Sequence, residues 1–258
     1  MSELETRLLD RGPSAAAAPK TELPSHKWTM LIDLDKCTGC NACVVACHVE
    51  NNVPIRSERE VIRGHGQHWI RIERYWEGEG DAQRATFLPM LCQQCSNAPC
   101  EPVCPVYASV HSERENLNLQ VYNRCVGTRF CGNNCPYRAR QFNWFAPQFE
   151  GPITEMLNPD VTVRSGGVME KCTFCVQRIR RVEEDALVEG RPLRDGEMVP
   201  ACAQTCPTSA IVFGDRSDPQ SQVAQRLGGQ REFQVLEHLG TAPNVYYLKA
   251  GGSDGGAG

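Results

Sequence analysis

The 258-residue sequence predicts an α+β chain made of two related cysteine-bearing modules, with an internal pseudo-repeat, long inserts and irregular termini. Three observations carry this expectation. The 15 cysteines fall into four tight runs, short extended stretches flank those runs, and three of the runs end in Cys-Pro.

Taken in order, residues 1–26 read as a loose arm, because Pro13, Pro19, Pro24 and the alanine run 15–18 offer little to bury. Residues 28–34 form an extended stretch ahead of Cys37. Within a first insert (about 48–91), residues 69–76 alternate apolar and polar and suggest an edge hairpin. Residues 106–110 are a weaker strand after Cys104-Pro105, and 117–122 precede Cys125. Further inserts lie at about 136–171 and 176–201. Residues 176–189 have helical character, with Arg178, Arg180, Arg181, Glu183 and Glu184 on a polar face. A solvated surface is the ordinary reading of such a face, and a docking face for a partner the sharper one. Residues 210–213 form a strand after Cys206-Pro207, 232–239 a short amphipathic helix, and the glycine-rich end from Gly251 a disordered tail. Strand, cysteine run, short helix, Cys-Pro, strand is the ferredoxin-like layout, met here twice. The chain therefore divides into the arm 1–26, a ferredoxin-like module from 27–91 and 165–214, a second from 92–164, and a C-terminal extension 215–258.

A net charge of −4 and a pI near 5.9 argue against a nucleic-acid partner. No run of about 18 apolar residues is present, so the chain is not expected to span a membrane by itself. The first 27 residues mix acids and bases without a long apolar core, unlike a secretory signal. Work outside the cytoplasm would need a partner that carries the folded chain there.

Run one is Cys37, Cys40, Cys43 and Cys47, spaced C-x2-C-x2-C-x3-C. In this bacterial ferredoxin run three thiolates bind one cluster and the fourth reaches the other cluster of the pair. Run two is Cys92, Cys95, Cys100 and Cys104; run three is Cys125, Cys131 and Cys135; run four is Cys172, Cys175, Cys202 and Cys206. A disulfide scaffold predicts dispersed cysteines, and structural zinc takes its ligands as two pairs, leaving the x3-C positions unexplained. Haem attachment through Cys43, Cys47 and His48 fails on spacing, which is three rather than two residues. His48 is then a residue near a cluster edge, or exposed.

In run three the slot for a second cysteine holds Thr128. A hydroxyl is a hard, neutral donor and a poor substitute for a soft thiolate, so a three-iron, four-sulfide cluster is expected there. The competing outcome is a complete cubane with hydroxide or the threonine oxygen on the odd iron. Three [4Fe–4S] clusters and one [3Fe–4S] cluster follow. Gly39, Gly127 and Gly132 either bring amides near sulfide or simply make turns. Lys171, Arg138 and Arg140 either offset cluster charge or form surface ion pairs. No catalytic Ser/His/Asp set, phosphate loop or carboxylate pair stands out, so no substrate site is expected on this chain.

The segments Asp35-Lys-Cys-Thr-Gly-Cys-Asn-Ala-Cys43, Cys92-Gln-Gln-Cys95, Asn133-Asn-Cys-Pro-Tyr137 and Lys171-Cys-Thr-Phe-Cys175 resemble the four-cluster iron–sulfur subunits of molybdopterin oxidoreductases, such as the dimethyl sulfoxide, polysulfide and nitrate reductases. The resemblance covers about residues 28–214. It implies that Cys37, Cys40 and Cys43 join Cys206 on one cluster, and that Cys172, Cys175 and Cys202 join Cys47 on a second. It likewise implies Cys92, Cys95, Cys100 and Cys135 on a third, and Cys125, Cys131 and Cys104 on the three-iron cluster. The family pattern has cysteine at Thr128, or sometimes another residue. The stretch 125–131, with Arg140-Gln-Phe-Asn-Trp144 after it, is more similar to the quinone reductase complex of sulfate reducers and to alternative complex III. A stand-alone chain leans toward the former. The partners implied are a molybdopterin-oxidoreductase-like subunit, a polytopic quinone-binding membrane subunit and a multihaem cytochrome c. The implied location is peripheral on the membrane through a partner, on the periplasmic side, with the cytoplasmic side as the alternative. A freely diffusing polyferredoxin is the competing class of function.

Overall fold

The computed structural model describes residues 26–251. The expected arm therefore lies outside the described residues except for His26, and the expected tail except for Gly251.

β1 (Trp28–Asp33) is apolar almost throughout and buried on both faces, as a central strand must be. Run one follows, and α1 (Ala42–Glu50) carries Cys43 and Cys47 inward. The short α2 (Glu58–Ile62) starts on a capping box, in which Ser57 and Glu60 satisfy each other's amides. The expected hairpin is β2 (Ile70–Glu77) against β3 (Arg84–Leu91), in register from Ile70 opposite Leu91 to Glu77 opposite Arg84. Its root is buried at Ile70 and Leu91, while Tyr75 and Trp76 project from the far end.

A second hairpin pairs β4 (Ser109–Ser112) with β5 (Leu117–Gln120). β4 starts later than the sequence pattern suggests, because Tyr107 takes a left-handed conformation (φ 49°) just after Cys104-Pro105. β5 ends early, since residues Tyr122–Arg124 form a 3₁₀ turn into Cys125. After α3 (Phe130–Asn133), β6 (Gln141–Phe142) meets β7 (Met169–Glu170) in a short antiparallel pair. The expected helix is α4 (Val176–Val188). Its polar face is largely exposed, with Arg180, Arg181 and Glu184 open to solvent, and its charges also form ion pairs within the chain. Arg178 pairs with Glu50 at 2.5 Å, Arg180 with Glu115 at 2.6 Å, Arg181 with Asp160, and Arg114 reaches Glu183 and Glu184.

Run four closes with α5 (Ala201–Gln204), then β8 (Ile211–Asp215) and α6 (Gln222–Arg226), which Ser221 caps. The helix expected over 232–239 does not form. Glu232–Phe233 is instead β9, and Leu236 (φ 54°) leaves only a 3₁₀ turn at Glu237–Leu239. β9 exists because it pairs with β10 (Val245–Leu248), with Phe233 opposite Tyr247. β10 in turn runs parallel to β1, and the main sheet has the order β8-β1-β10-β9. Val245 and Tyr247 are fully buried, so this late segment is part of the core.

Candidate metal centres

The same backbone device opens every cysteine run. The residue two places after the first cysteine has positive φ: Gly39 (70°), Gln94 (47°), Gly127 (76°) and Phe174 (56°). That left-handed residue turns the chain so that the next position faces back toward the first cysteine. Two of the four are glycine because nothing else fits. A Cβ on Gly39 would lie 2.4 Å from the Phe87 ring, and one on Gly127 2.4 Å from the Gly167 carbonyl oxygen. Turn geometry and close packing therefore account for both; Gly132 is crowded by Met169 but has no positive φ.

The Cys-Pro ends share a second device. Three residues after Cys104, Cys135 and Cys206 stand Tyr107 (φ 49°), Arg138 (49°) and Ser209 (50°). Proline has no N–H to offer, and the left-handed residue aims the following amide at sulfur. Ala108 N–H donates to Cys104 Sγ at 3.1 Å and Ala210 N–H to Cys206 Sγ at 3.3 Å. Burial acts to raise both thiols, but these donors carry Cys104 and Cys206 below the ordinary thiol value. The Thr208 hydroxyl assists at Cys206.

The runs converge across the sequence. One cavity is lined by Cys37, Cys40, Cys43 and Cys206, and another by Cys92, Cys95, Cys100 and Cys135. Cys47 faces Cys172, Cys175 and Cys202, while Cys131 faces Cys100, Cys104 and Cys125. Burial, reinforced by neighbouring sulfurs, pushes Cys43 up to about 11 and Cys95 up to about 12. Burial also takes Cys172 up to about 12, and Cys47 and Cys202 well above the ordinary value. Thiols packed this tightly would stay protonated at neutral pH without bound cations, and thiolate ligation to iron supplies that compensation. Among the described residues no three His, Cys, Asp or Glu side chains form a group suited to a single metal ion. Tetrahedral zinc draws its four ligands to about 2.0–2.3 Å from one centre. Sets of cysteines drawn from separate runs, with amide donors aimed at sulfur, fit a polynuclear iron–sulfur core in which each thiolate holds a different iron.

Thr128 occupies the position that Cys40 holds in run one. Each follows a positive-φ glycine, each precedes a left-handed residue (Asn41 at 62°, Arg129 at 63°), and each is exposed just ahead of a helix. The loop backbone is retained and the side chain is changed.

Three basic residues weighed from the sequence separate in the structure. Arg138 is exposed. Lys171 is fully buried and donates to the Cys172 carbonyl at 3.0 Å and to the Asn118 carbonyl. Arg140 is buried and donates to Cys100 Sγ at 3.0 Å. His48 is tucked between His68 and the Val53 carbonyl, at 3.1 Å from each. Sequence reading missed Asn51, which is 2% exposed and points its amide at Cys47 Sγ (3.5 Å) and Cys175 Sγ (3.9 Å). Its signal was available: it stands four residues after Cys47 at the end of a helix, and so on the same face.

Fold and sulfur sets together define an iron–sulfur electron carrier of the multi-cluster ferredoxin class. In agreement, family models described as 4Fe-4S dicluster domains match residues 36–108 and 83–152. The chain is 43% identical over 226 residues to the iron–sulfur cluster-binding subunit of menaquinone reductase from Nitratidesulfovibrio vulgaris, covering 86% of this chain and 88% of that one. It is 34% identical to iron–sulfur subunit 1 of the Hdr-like menaquinol oxidoreductase of Archaeoglobus fulgidus, over 91% of this chain and 88% of the relative. With the iron–sulfur subunit of arsenate respiratory reductase from a Shewanella species it shares 32% identity, over 86% of this chain and 96% of the relative. The chain belongs to the iron–sulfur subunit family of the molybdopterin oxidoreductases, and is an electron-transfer subunit of the quinone and molybdoenzyme reductase type. No helix among the described residues is long and apolar enough to cross a membrane.

Proposed function

We propose that this chain relays single electrons through three [4Fe–4S] clusters and one [3Fe–4S] cluster. The relay runs between a molybdopterin-oxidoreductase-like or multihaem cytochrome subunit and a polytopic membrane subunit that binds quinone. The ligand sets are Cys37, Cys40, Cys43 and Cys206; Cys47, Cys172, Cys175 and Cys202; Cys92, Cys95, Cys100 and Cys135; and Cys104, Cys125 and Cys131. The observation that carries the three-iron assignment is the backbone match between Thr128 and Cys40.

The clusters supply one-electron redox chemistry when bound. The protein's part is spacing and electrostatics. Each set takes ligands from distant parts of the chain, and the last two cysteines of every run are four residues apart. Cys43 and Cys47, Cys100 and Cys104, Cys131 and Cys135, and Cys202 and Cys206 are thus split between two sets. Cys43 and Cys47 lie in one helix, where four residues rise about 6 Å; Cys131 and Cys202 lie in short helices whose partner cysteines follow just past the end, and turns link Cys100 to Cys104. Amide donors at Cys104, Cys125, Cys172 and Cys206 favour the more negative, reduced state of the attached centre.

Exposed Val126, Phe130, Trp144 and Phe145 surround the Thr128 loop and support an apolar partner surface at that end of the relay. Quinone as the acceptor or donor is favoured by the two relatives named for menaquinone and menaquinol. The reading favours the periplasmic face, reached by export with a partner. Residues 27–91 with 165–214, and 92–164, would act as the two cluster modules. Affinity purification from detergent-solubilised membranes tests the placement: recovery with a polytopic membrane protein is expected. A chain recovered alone in the soluble fraction would make it a diffusing polyferredoxin instead.

A further inference from the structure

We propose that Arg140 is a positioning residue that bridges two adjacent clusters electrostatically and holds both at raised potential. This rests on the assignment of Cys92, Cys95, Cys100 and Cys135 to one cluster and of Cys104, Cys125 and Cys131 to the next.

Arg140 is only 7% exposed, and burying a guanidinium is costly unless an anion offsets it. The other deeply buried arginine of this region obeys that rule conventionally: Arg164 pairs with Glu170 at 3.0 Å. Arg140 forms no carboxylate ion pair among the described residues. Its oxygen partners are all neutral: Gln120 Oε1 at 2.7 Å, Ser109 Oγ at 2.5 Å and Asn118 Oδ1 at 2.9 Å. Ser109 and Gln120 are directly opposed in the β4–β5 hairpin, which presents a fixed polar cradle to the guanidinium. The remaining partner is Cys100 Sγ at 3.0 Å.

The acidic groups that feel its charge lie on both sides. Cys92 and Cys100 belong to one proposed set, and Cys104 and Cys131 to the other. The Glu101 carboxylate also feels its charge, but as the weakest of its neighbours' effects; His111 and Asn118, which donates to it at 2.5 Å, act on it more strongly. A cation held this way finds its compensation in thiolate and sulfide. Reduction adds a negative charge to a cluster, and a fixed positive charge beside it in a low-dielectric interior favours that state. Because arginine does not deprotonate in proteins, the bias is permanent. One side chain therefore acts on two consecutive steps of the relay, and it levels them together.

A merely structural role, tying the hairpin to run three, predicts something different, and Gln120→Glu separates the two. That change is nearly isosteric and places a carboxylate against the guanidinium without disturbing its cradle. It also removes the Gln120 amide nitrogen, a buried donor with no partner. The experiment is a potentiometric titration of the cluster-loaded protein, followed by electron paramagnetic resonance, with iron counted on each sample. The set is wild type, Gln120→Glu, Arg140→Met and Arg140→Lys. Gln120→Glu and Arg140→Met should lower the midpoint of the three-iron couple and of one four-iron couple. The other two couples should stay put, and Arg140→Lys should retain most of the wild-type value. Four unmoved couples in a fully loaded Gln120→Glu sample would overturn the proposal, whatever Arg140→Met does to loading. A wild-type sample without a three-iron signal would instead refute the Thr128 assignment, and the bridge would then be read from two paired four-iron couples.

Discussion

Replacing Arg164 with methionine should weaken the join between the first cysteine helix and run four more than any surface change can. Arg164 and Glu170 have side chains 1% and 0% exposed, and they pair at 3.0 Å. Arg164 also donates to the carbonyls of Asn51 (2.6 Å), Asn52 (3.1 Å) and Thr162 (2.8 Å), and its guanidinium lies over the Trp69 ring. Removing it strips three carbonyls of a donor and leaves the Glu170 carboxylate buried with, among the described residues, only Trp69 and Asn143 to donate to it. Breaking a buried pair from one side costs about 3–5 kcal/mol. Unfolding that releases iron is irreversible, so the assay is a rate: first-order bleaching of the cluster absorbance in urea. If half of a 3 kcal/mol loss appears in the unfolding rate, bleaching accelerates roughly tenfold. The double variant Arg164→Met/Glu170→Gln should recover part of the loss, because no unpaired charge then remains inside. An Arg164→Met protein that bleaches within about twofold of wild type would refute the claim that this pair holds the junction.

Other tests bear on the ligand loops and their surroundings. Thr128→Cys should convert the three-iron centre to a four-iron one and add about one iron per chain; an unchanged three-iron spectrum would contradict the ligand argument. Gly39→Ala forces a Cβ against Phe87 at positive φ and should cost about 1–3 kcal/mol, read as faster bleaching, with Phe87→Ala relieving the clash but not the backbone strain. Asn51→Leu removes the donor to Cys47 and Cys175, and should lower the midpoint of one four-iron couple without loss of iron. His111 is raised chiefly by the Glu101 carboxylate 3.6 Å away, against burial. A raised histidine stabilises the fold below its unfolded value of about 6.5, and that contribution is lost as pH climbs through the folded value. The stability difference between wild type and His111→Gln should therefore be largest near pH 6 and fade toward pH 8; a pH-independent difference would exclude the ion pair.

The cysteine runs, their strands and the hairpin at Trp69 were legible in the sequence because each obeys a local rule. Thiolate spacing, the Cys-Pro ends and period-two alternation all show within a few residues, whereas the positive-φ turns at Gln94 and Phe174 do not. What was not legible depends on distant partners. β10 reads as an unremarkable Val-Tyr-Tyr-Leu until β1 is found beside it. Residues 232–239 look amphipathic, yet β9 is selected by the free edge that β10 offers to Phe233. The α4 face is exposed as its charges suggest, but their ion-pair partners Glu50, Glu115 and Asp160 are far away in sequence and so were not legible. Arg138, Arg140 and Lys171 look equivalent on paper, and only packing makes one exposed and two buried.

The measurement that bears most directly on the four-cluster relay is electron paramagnetic resonance of the oxidised protein, with iron counted on the same sample. Four irons at each of three sites and three at the Thr128 site give about 15 per chain, together with the signal of an oxidised three-iron centre. That pair of results is expected. A silent oxidised spectrum with about 16 irons would mean that oxygen completes the fourth cubane, and would contradict the special character of run three.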